Sequence, residues 1–186
     1  LGPHLDALAM HYYDTYLQGG STDEASSDYL VRSGSNLEAL LDLQEAFALA
    51  TLNKVLPQLV SEYGSGFKVK GIEYSPVHDW WVLRGVNGKL MQFMDRPDRF
   101  LKAIPFIVGK AIWHVKKDTE TPTDSSTTPY PFTLWRNTKR QVSGKNKATD
   151  VWSETHLHKF YQFWEELPDG AQRFAVGSDN ANVQVQ

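Results

Sequence analysis

The stretch WWVLRGVNGKLMQFMD, residues 80–95, contains the strongest fold signal in the chain. Asn87-Gly88 near its centre favours a type I′ turn, because both central residues of that turn need a positive φ angle. The turn predicts two antiparallel strands in which Val86 pairs with Lys89. Both faces of this hairpin are mostly apolar, so we expect helices to cover it on two sides.

Two amphipathic helices are predicted before the hairpin. Apolar residues recur at helical spacing over residues 3–17, which predicts a first helix. Ser35 followed by Glu38 has the form of a capping box, which marks a helix start. The apolar stripe behind it predicts a helix over residues 35–63, kinked or interrupted at Pro57.

The rest of the chain adds shorter elements. Strands are predicted over residues 67–74 and 132–136, a helix over residues 98–104, and a strongly aromatic helix over residues 150–167. This order lacks the regular alternation of a doubly wound parallel sheet. We therefore predict an α+β fold, a single domain whose antiparallel sheet has a central β-hairpin packed by amphipathic helices.

Length and composition limit the class of protein. The 186 residues fit one domain, predicted over residues 1–176 with mobile loops at 18–35 and 118–131, and a disordered tail over residues 177–186. The chain begins at Leu1 rather than Met, which indicates a trimmed, processed or excised piece.

The residue types exclude several kinds of chemistry. The chain has no cysteine, so disulfides, cysteine-ligated metals and a thiol nucleophile are excluded. No apolar run is long enough to span a membrane, and the chain is interpreted as soluble. The missing cysteines favour a reducing intracellular compartment without fixing it. No cofactor is predicted, because no nucleotide or metal motif stands out.

Charge is divided unevenly along the chain. Residues 1–66 carry nine acidic and two basic side chains (net −7), and residues 67–186 carry thirteen acidic and seventeen basic ones (net +4). Within the second part, a basic segment contains no acidic residue between Asp124 and Asp150. Its candidate binding residues are Trp135, Arg136, Lys139, Arg140, Lys145 and Lys147.

The basic segment has three possible interpretations. Arg and Lys bind phosphate and an aromatic ring stacks on an exposed base, so the composition suits nucleic acid or another anionic polymer. The same residues are also compatible with an ordinary solvated surface. A third possibility is docking against the acidic first helices.

Other chemical groups favour structural roles. His78 and Asp79 are adjacent, and neighbouring residues on a strand point to opposite faces, so they do not form a catalytic dyad easily. His156 and His158 would diverge on a helix, even with His114 as a third metal ligand. No catalytic residue and no metal site are predicted.

Two further groups are also interpreted structurally. Glu38, Asp42 and Glu45 are typical of the solvated face of an amphipathic helix. Gly64-Ser65-Gly66 lacks the partner residues of a phosphate loop or of a nucleophile elbow.

Three functions remain as hypotheses. The first is a non-enzymatic protein-binding or assembly module, which acts on a protein partner or by self-association through aromatic and charged surface. The second is a nucleic-acid-binding domain that uses the basic segment. The third is a hydrolase or transferase with a site built on His78 or His114 in a cleft beside the hairpin.

Overall fold

The structure, a computed structural model, describes residues 4–16, 29–30, 32–65, 76–111, 132–143, 147–168 and 170–171. These residues form seven strands and three helices. In chain order they are β1 Leu8–Tyr16, β2 Tyr29–Leu30, α1 Ser35–Leu52, β3 Gln58–Ser65, α2 Pro76–Met94, β4 Phe100–Pro105, β5 Val108–Lys110, β6 Thr133–Ser143, β7 Lys147–Glu154 and α3 His158–Glu165.

The first sheet is built on three parallel strands. Its order is β2-β1-β3-β4, with β1, β3 and β4 parallel and the two-residue β2 antiparallel to β1. Helix α1 lies between β1 and β3 in the chain, and α2 lies between β3 and β4, as parallel neighbours require. Both helices pack on one face of the sheet, where the buried core contains Tyr12, Leu37, Leu41, Val60, Tyr63, Val82, Val86 and Phe93.

The second sheet has the order β5-β6-β7, with β5 parallel to β6 and β6 antiparallel to β7. It joins the first sheet directly, because β5 follows β4 after two residues. Phe106 N donates a hydrogen bond of 2.8 Å to Tyr63 O, and Val108 N donates one of 2.7 Å to Phe132 O. The second sheet therefore starts at the carboxyl end of the first.

The predicted hairpin over residues 80–95 is wrong, because these residues belong to α2. Asn87 sits within the helix, where its Nδ2 donates to Leu83 O at 2.9 Å and its Oδ1 accepts from Trp164 Nε1 of α3 at 2.8 Å. The buried residues of α2 recur at helical spacing. They are Asp79, Val82, Val86, Lys89 and Phe93.

Close packing explains the two glycines at the centre of α2. A Cβ at Gly85 would overlap Asp14 Oδ2, and a Cβ at Gly88 would lie 3.1 Å from the Cβ of Ser33. These glycines let the helix approach β1 and the start of α1. The Asn87-Gly88 pair therefore reflects helix packing and not a turn.

Three other predicted elements also need correction. Residues 8–16 form a strand rather than part of a helix, and residues 100–105 form β4 instead of ending a helix. Helix α1 begins at Ser35 as predicted, but no side-chain cap bond forms and it ends at Leu52. Asn53 adopts the left-handed conformation (φ 53°), which stops the helix and frees residues 58–65 to form a strand.

For the later part of the chain, one predicted strand is confirmed and one predicted helix is partly correct. The strand over residues 132–136 is confirmed and is part of β6. The aromatic helix over residues 150–167 is only partly correct, because residues 147–154 form β7 and α3 covers His158–Glu165. The strand over residues 67–74 lies outside the described residues.

The fold class is thus a small mixed α and β structure with three helices and two small sheets across the described ranges. The antiparallel sheet with a central hairpin is replaced by a mainly parallel sheet. The domain limits and the tail over residues 177–186 stay predictions, and most of both predicted loops lies outside the described residues. No helix among the residues that the structure describes is long and apolar enough to cross a membrane.

Candidate active site at the carboxyl end of the parallel sheet

Three polar side chains meet toward the carboxyl ends of β1 and β3. Tyr13 Oη donates a hydrogen bond of 2.9 Å to Glu62 Oε2, and His11 Nδ1 lies 3.4 Å from the same oxygen. The side chain of Glu62 is 36% exposed and that of His11 is 53% exposed. The carboxylate is therefore held by two neighbours and still accessible to a ligand.

A β-bulge in β3 turns Glu62 toward this face. Met10 pairs with Val60 and the next residue, His11, pairs with Glu62, so β3 has one extra residue, Ser61. Strict alternation from Val60, which faces the helices, would turn Glu62 toward the helices as well. The extra residue reverses the alternation, as bulges beside functional sites often do.

Aromatic rings hold the phenol of Tyr13 in place. Its ring makes edge contacts with Phe106, with the centroids 6.1 Å apart, and with Phe132 at 6.4 Å. Gly64 completes the packing, because a Cβ there would lie 3.0 Å from Tyr13 Cε1. The hydrogen bond to Glu62 therefore starts from a ring with little freedom to move.

The opposite face of the same strands holds a buried ion pair. Lys89 Nζ of α2 lies 2.5 Å from Asp14 Oδ1 of β1, and the two side chains are 0% and 1% exposed. Arg32 N also donates to Asp14 Oδ1, at 2.8 Å. Burial lowers the pKa of the Lys89 ammonium, although the nearby Asp14 carboxylate opposes this shift. This pair fastens α2 to β1 and is closed to ligands.

Two tyrosines on the helix side of the sheet are buried. Tyr12 Oη lies 2.8 Å from Gln44 Oε1 and 2.6 Å from Gln58 Oε1. Burial raises the pKa of Tyr12 to about 12, and it raises the pKa of Tyr63 as well. Both phenols stay neutral at ordinary pH and serve the core.

The basic segment predicted for binding lies in the second sheet. Trp135, Arg136, Lys139 and Arg140 are on β6, and Lys147 is the first residue of β7. Lys145 lies outside the described residues. The segment thus extends along one antiparallel strand pair of the second sheet, whereas His11, Tyr13 and Glu62 lie on β1 and β3 of the first sheet.

The other candidate groups have structural roles where the structure describes them. Asp79 is buried, and its Oδ2 accepts a hydrogen bond of 2.6 Å from His156 N just before α3. The His158 ring contacts Trp135 edge-on, with the centroids 5.5 Å apart. The described part of the chain contains no group of three His, Asp or Glu side chains that could hold a metal ion. His114 and the side chain of His78 lie outside the described set.

The acidic residues of α1 form ion pairs with the segment that follows α2. Arg96 binds Glu38, lies 2.7 Å from Asp42 Oδ1, and lies 3.2 Å from Glu45 Oε1. Glu45 also lies 3.3 Å from Arg99. These carboxylates join α1 to the segment that follows α2, so their role is structural, but they form ion pairs rather than a simple solvated face.

The sequence pattern did not indicate Glu62, Tyr13 or His11 as site residues. It placed Glu62 near the end of a long helix and the other two on a first helix. A useful signal was present, since Pro57 and the run from Gln58 to Ser65 suit a short buried strand that contains one acidic residue. Open parallel sheets usually bind ligands toward the carboxyl ends of their strands, so a polar residue in the second half of such a strand is a candidate.

Comparisons with known proteins indicate the chemistry of the relatives. No family model matches the chain. The chain is 33% identical over 180 residues to a β-agarase from Pseudoalteromonas atlantica, covering 96% of the chain and 31% of that enzyme. It is 32% identical over 187 residues to a funoran endo-β-hydrolase from Wenyingzhuangia aestuarii, covering 99% of the chain and 22% of that enzyme. The chain thus spans less than a third of the length of these relatives.

Solved structures of glycoside hydrolases are also similar to the chain. A β-porphyranase of glycoside hydrolase family 86 from Bacteroides plebeius superposes with a TM-score of 0.67 at 26% identity, over 100% of the chain and 28% of that protein. The structure of BuGH86 in complex with neoagarooctaose gives a TM-score of 0.64 at 27% identity, over 88% of the chain and 23% of that protein.

These relatives correct the functional predictions. They are hydrolases of carbohydrates, so the prediction of a non-enzymatic protein-binding or assembly module is wrong. Protein, self-association and nucleic-acid partners are wrong for the same reason, because a structural relative binds an oligosaccharide. The alternative of a histidine-based enzyme site beside a hairpin has no structural basis, because residues 76–94 form a helix instead of a hairpin. Similarity to glycoside hydrolases directs attention to the exposed carboxylate of Glu62.

Proposed function

We propose that this chain is part of a glycoside hydrolase that cleaves β-linked polysaccharides of the agar type, with Glu62 as one of its catalytic carboxylates. The observation that carries the proposal is the turn of Glu62, by the Ser61 bulge, onto the face that also presents Tyr13 and His11. The substrate class comes from the β-agarase and β-porphyranase relatives.

The architecture supports this placement. Consecutive parallel strands with both helices on one face are the arrangement of a segment of an α/β barrel. Active sites of such barrels lie at the carboxyl ends of the strands, on residues supplied by several strands. Glu62 and Tyr13 each lie three residues before the carboxyl end of neighbouring strands β3 and β1, on the face away from the helices, which supports such a site.

The contacts of Glu62 suit an ionised carboxylate. Tyr13 donates a hydrogen bond from its hydroxyl to Oε2, and the His11 ring lies beside the same oxygen. Both contacts stabilise negative charge on the carboxylate and leave Oε1 to face the substrate. An ionised Glu62 would act as the nucleophile at the anomeric carbon or as the base that activates water.

The reaction needs a second carboxyl group, which protonates the oxygen of the leaving sugar. We place this acid outside the residues described for the chain, in an enzyme about as long as its relatives. Its separation from Glu62 would decide the outcome, since about 5–5.5 Å gives retention and about 6.5–9.5 Å gives inversion of the anomeric configuration.

A single substitution tests the proposal. Glu62→Gln keeps the shape of the side chain and removes its charge, so hydrolysis of agarose should drop by at least ~10³-fold with the melting temperature nearly unchanged. Release of reducing ends from agarose, porphyran and funoran measures activity and specificity. Glu165→Gln, on the exposed face of α3, is the matched control and should retain activity. Full activity of the Glu62→Gln enzyme would refute the assignment.

A further inference from the structure

A second cluster of aromatic and charged side chains lies on the second sheet and takes no part in the candidate active site. Lys110 Nζ lies 5.6 Å from the ring centroid of Trp135 and 5.3 Å from that of Trp152. Lys110 is exposed and both indoles are partly exposed. The three residues form an aromatic and cationic surface on β5, β6 and β7, which we name the Lys110 platform.

The register of the second sheet places these side chains on one face. Lys110 pairs with Trp135 across β5 and β6, and Trp135 pairs with Glu154 across β6 and β7. Trp152 is two residues from Glu154 and therefore points the same way. Glu154 is exposed too, so this face offers acceptor groups beside the ammonium and the rings.

The platform is close to the site along the chain. Pro105 at the end of β4 pairs with Tyr63, the neighbour of Glu62, and Lys110 follows five residues later. Five extended residues reach at most roughly 17 Å. Phe106, which packs on Tyr13, lies between Pro105 and Lys110 along the chain. A ligand that extends from Glu62 over a distance of this order reaches the strands that carry the platform.

The state of Lys110 suits ligand binding better than a structural role. Among the described residues, no carboxylate lies within ion-pair distance of its ammonium. The two indoles hold the ammonium by cation–π attraction, which fixes its position without using its hydrogen-bond donors. Those donors remain for an external acceptor.

We propose that the Lys110 platform is an accessory sugar subsite that holds a unit of the substrate chain away from the bond that is cleaved. The indole face that Lys110 leaves uncovered packs on the C–H face of a sugar ring, while Lys110 donates hydrogen bonds to the hydroxyl or sulfate oxygens of the sugar. The inference rests on the proposed function, because it assigns the platform to the same polysaccharide. BuGH86 in complex with neoagarooctaose shows that a structural relative accommodates an eight-sugar ligand.

Binding measurements on the full-length enzyme test the subsite. In a Glu62→Gln background, Trp135→Ala should raise the Kd for neoagarooctaose about tenfold or more, and Lys110→Met should raise it about threefold to tenfold. Trp135→Phe keeps an aromatic face and should restore most of the affinity. Trp80→Ala removes an exposed indole from α2 and should leave the Kd unchanged.

The experiments can reject the subsite without rejecting the proposed function. With Glu62 in place, Trp135→Ala should raise KM for long substrates and leave kcat unchanged, a comparison that is valid whatever Glu62→Gln does. An enzyme that cleaves agarose with the same KM and Kd in the Trp135→Ala and Lys110→Met variants would overturn the subsite alone. Melting temperatures identify any variant that misfolds. If Trp135→Ala or Lys110→Met misfolds, Lys110→Glu at this exposed position replaces that variant. Its loss of affinity should be at least as large as the loss expected for Lys110→Met.

Discussion

Asp14 and Glu62 are carboxylates on neighbouring strands of one sheet, and they have opposite surroundings. Asp14 faces the helices, is 1% exposed and binds Lys89, whereas Glu62 faces away from them, is 36% exposed and binds Tyr13 and His11. The first is enclosed by packing and the second is open to ligands. The comparison shows that strand alternation, modified by one bulge, places a structural carboxylate on one face of the sheet and a candidate catalytic carboxylate on the other.

The largest expected effect concerns the buried acid. Lys89→Met leaves the Asp14 carboxylate buried without its cation, so the free energy of unfolding should decrease by about 3–5 kcal/mol. Urea denaturation measures this change. The double variant Asp14→Asn, Lys89→Met removes both charges and should recover much of the loss. An unchanged unfolding midpoint in the single variant would show that the pair does not matter for stability.

The next effect concerns the exposed acid. Tyr13→Phe removes the hydrogen bond to Glu62 and keeps the ring packing, so kcat should decrease by about 10²-fold while the melting temperature stays nearly constant. Steady-state hydrolysis of agarose measures it, with Tyr161→Phe, on the partly exposed side of α3, as the matched control. A large loss of stability with normal kcat would assign Tyr13 to the core.

A smaller effect concerns the packing of Gly64 against the Tyr13 ring. Gly64→Ala places a methyl group 3.0 Å from the Tyr13 ring, so the ring must shift and both stability and kcat should decrease. Overpacking of this kind costs about 1–3 kcal/mol. Adding Tyr13→Phe to Gly64→Ala should lower kcat little further, because both changes disturb the same hydrogen bond. Additive losses would separate Gly64 from the site.

The smallest effect appears only in strongly alkaline solution. The pKa of Tyr12 is raised from 10.0 to about 12 in the folded protein, so the unfolded chain releases this proton first as pH rises. Stability should therefore be complete below about pH 10 and decrease between about pH 10 and pH 12. Unfolding midpoints of the wild type and of Tyr12→Phe measure the difference, and identical pH slopes would contradict the assignment.

Sequence patterns predicted the start of α1 from the Ser35–Glu38 pair, although the cap bond itself does not form, and they predicted the strand at residues 132–136. They failed for α2, whose buried stripe contains the charged residues Asp79 and Lys89, so its helical period was obscured. Asn87-Gly88 then gave a misleading turn signal. Only the close approach of Gly88 to Ser33, a tertiary contact, explains that glycine.

The candidate site was hidden for a related reason. Glu62 lies outside any alternating pattern because Ser61 interrupts the alternation of β3, and the apolar stripe of α1 seemed to continue through it. The meeting of Tyr13 and Glu62 depends on parallel pairing of strands that are far apart in the chain. Local periodicity does not report such contacts.

The edges of the first sheet determine where further strands can pair. Within the described residues, β4 has one strand neighbour, and the outer edge of β1 is covered only by the two residues of β2. Open backbone donors and acceptors along both sides favour pairing with other copies and aggregation. Both edges are therefore the places where pairing with a further strand, from this chain or from another copy, is expected.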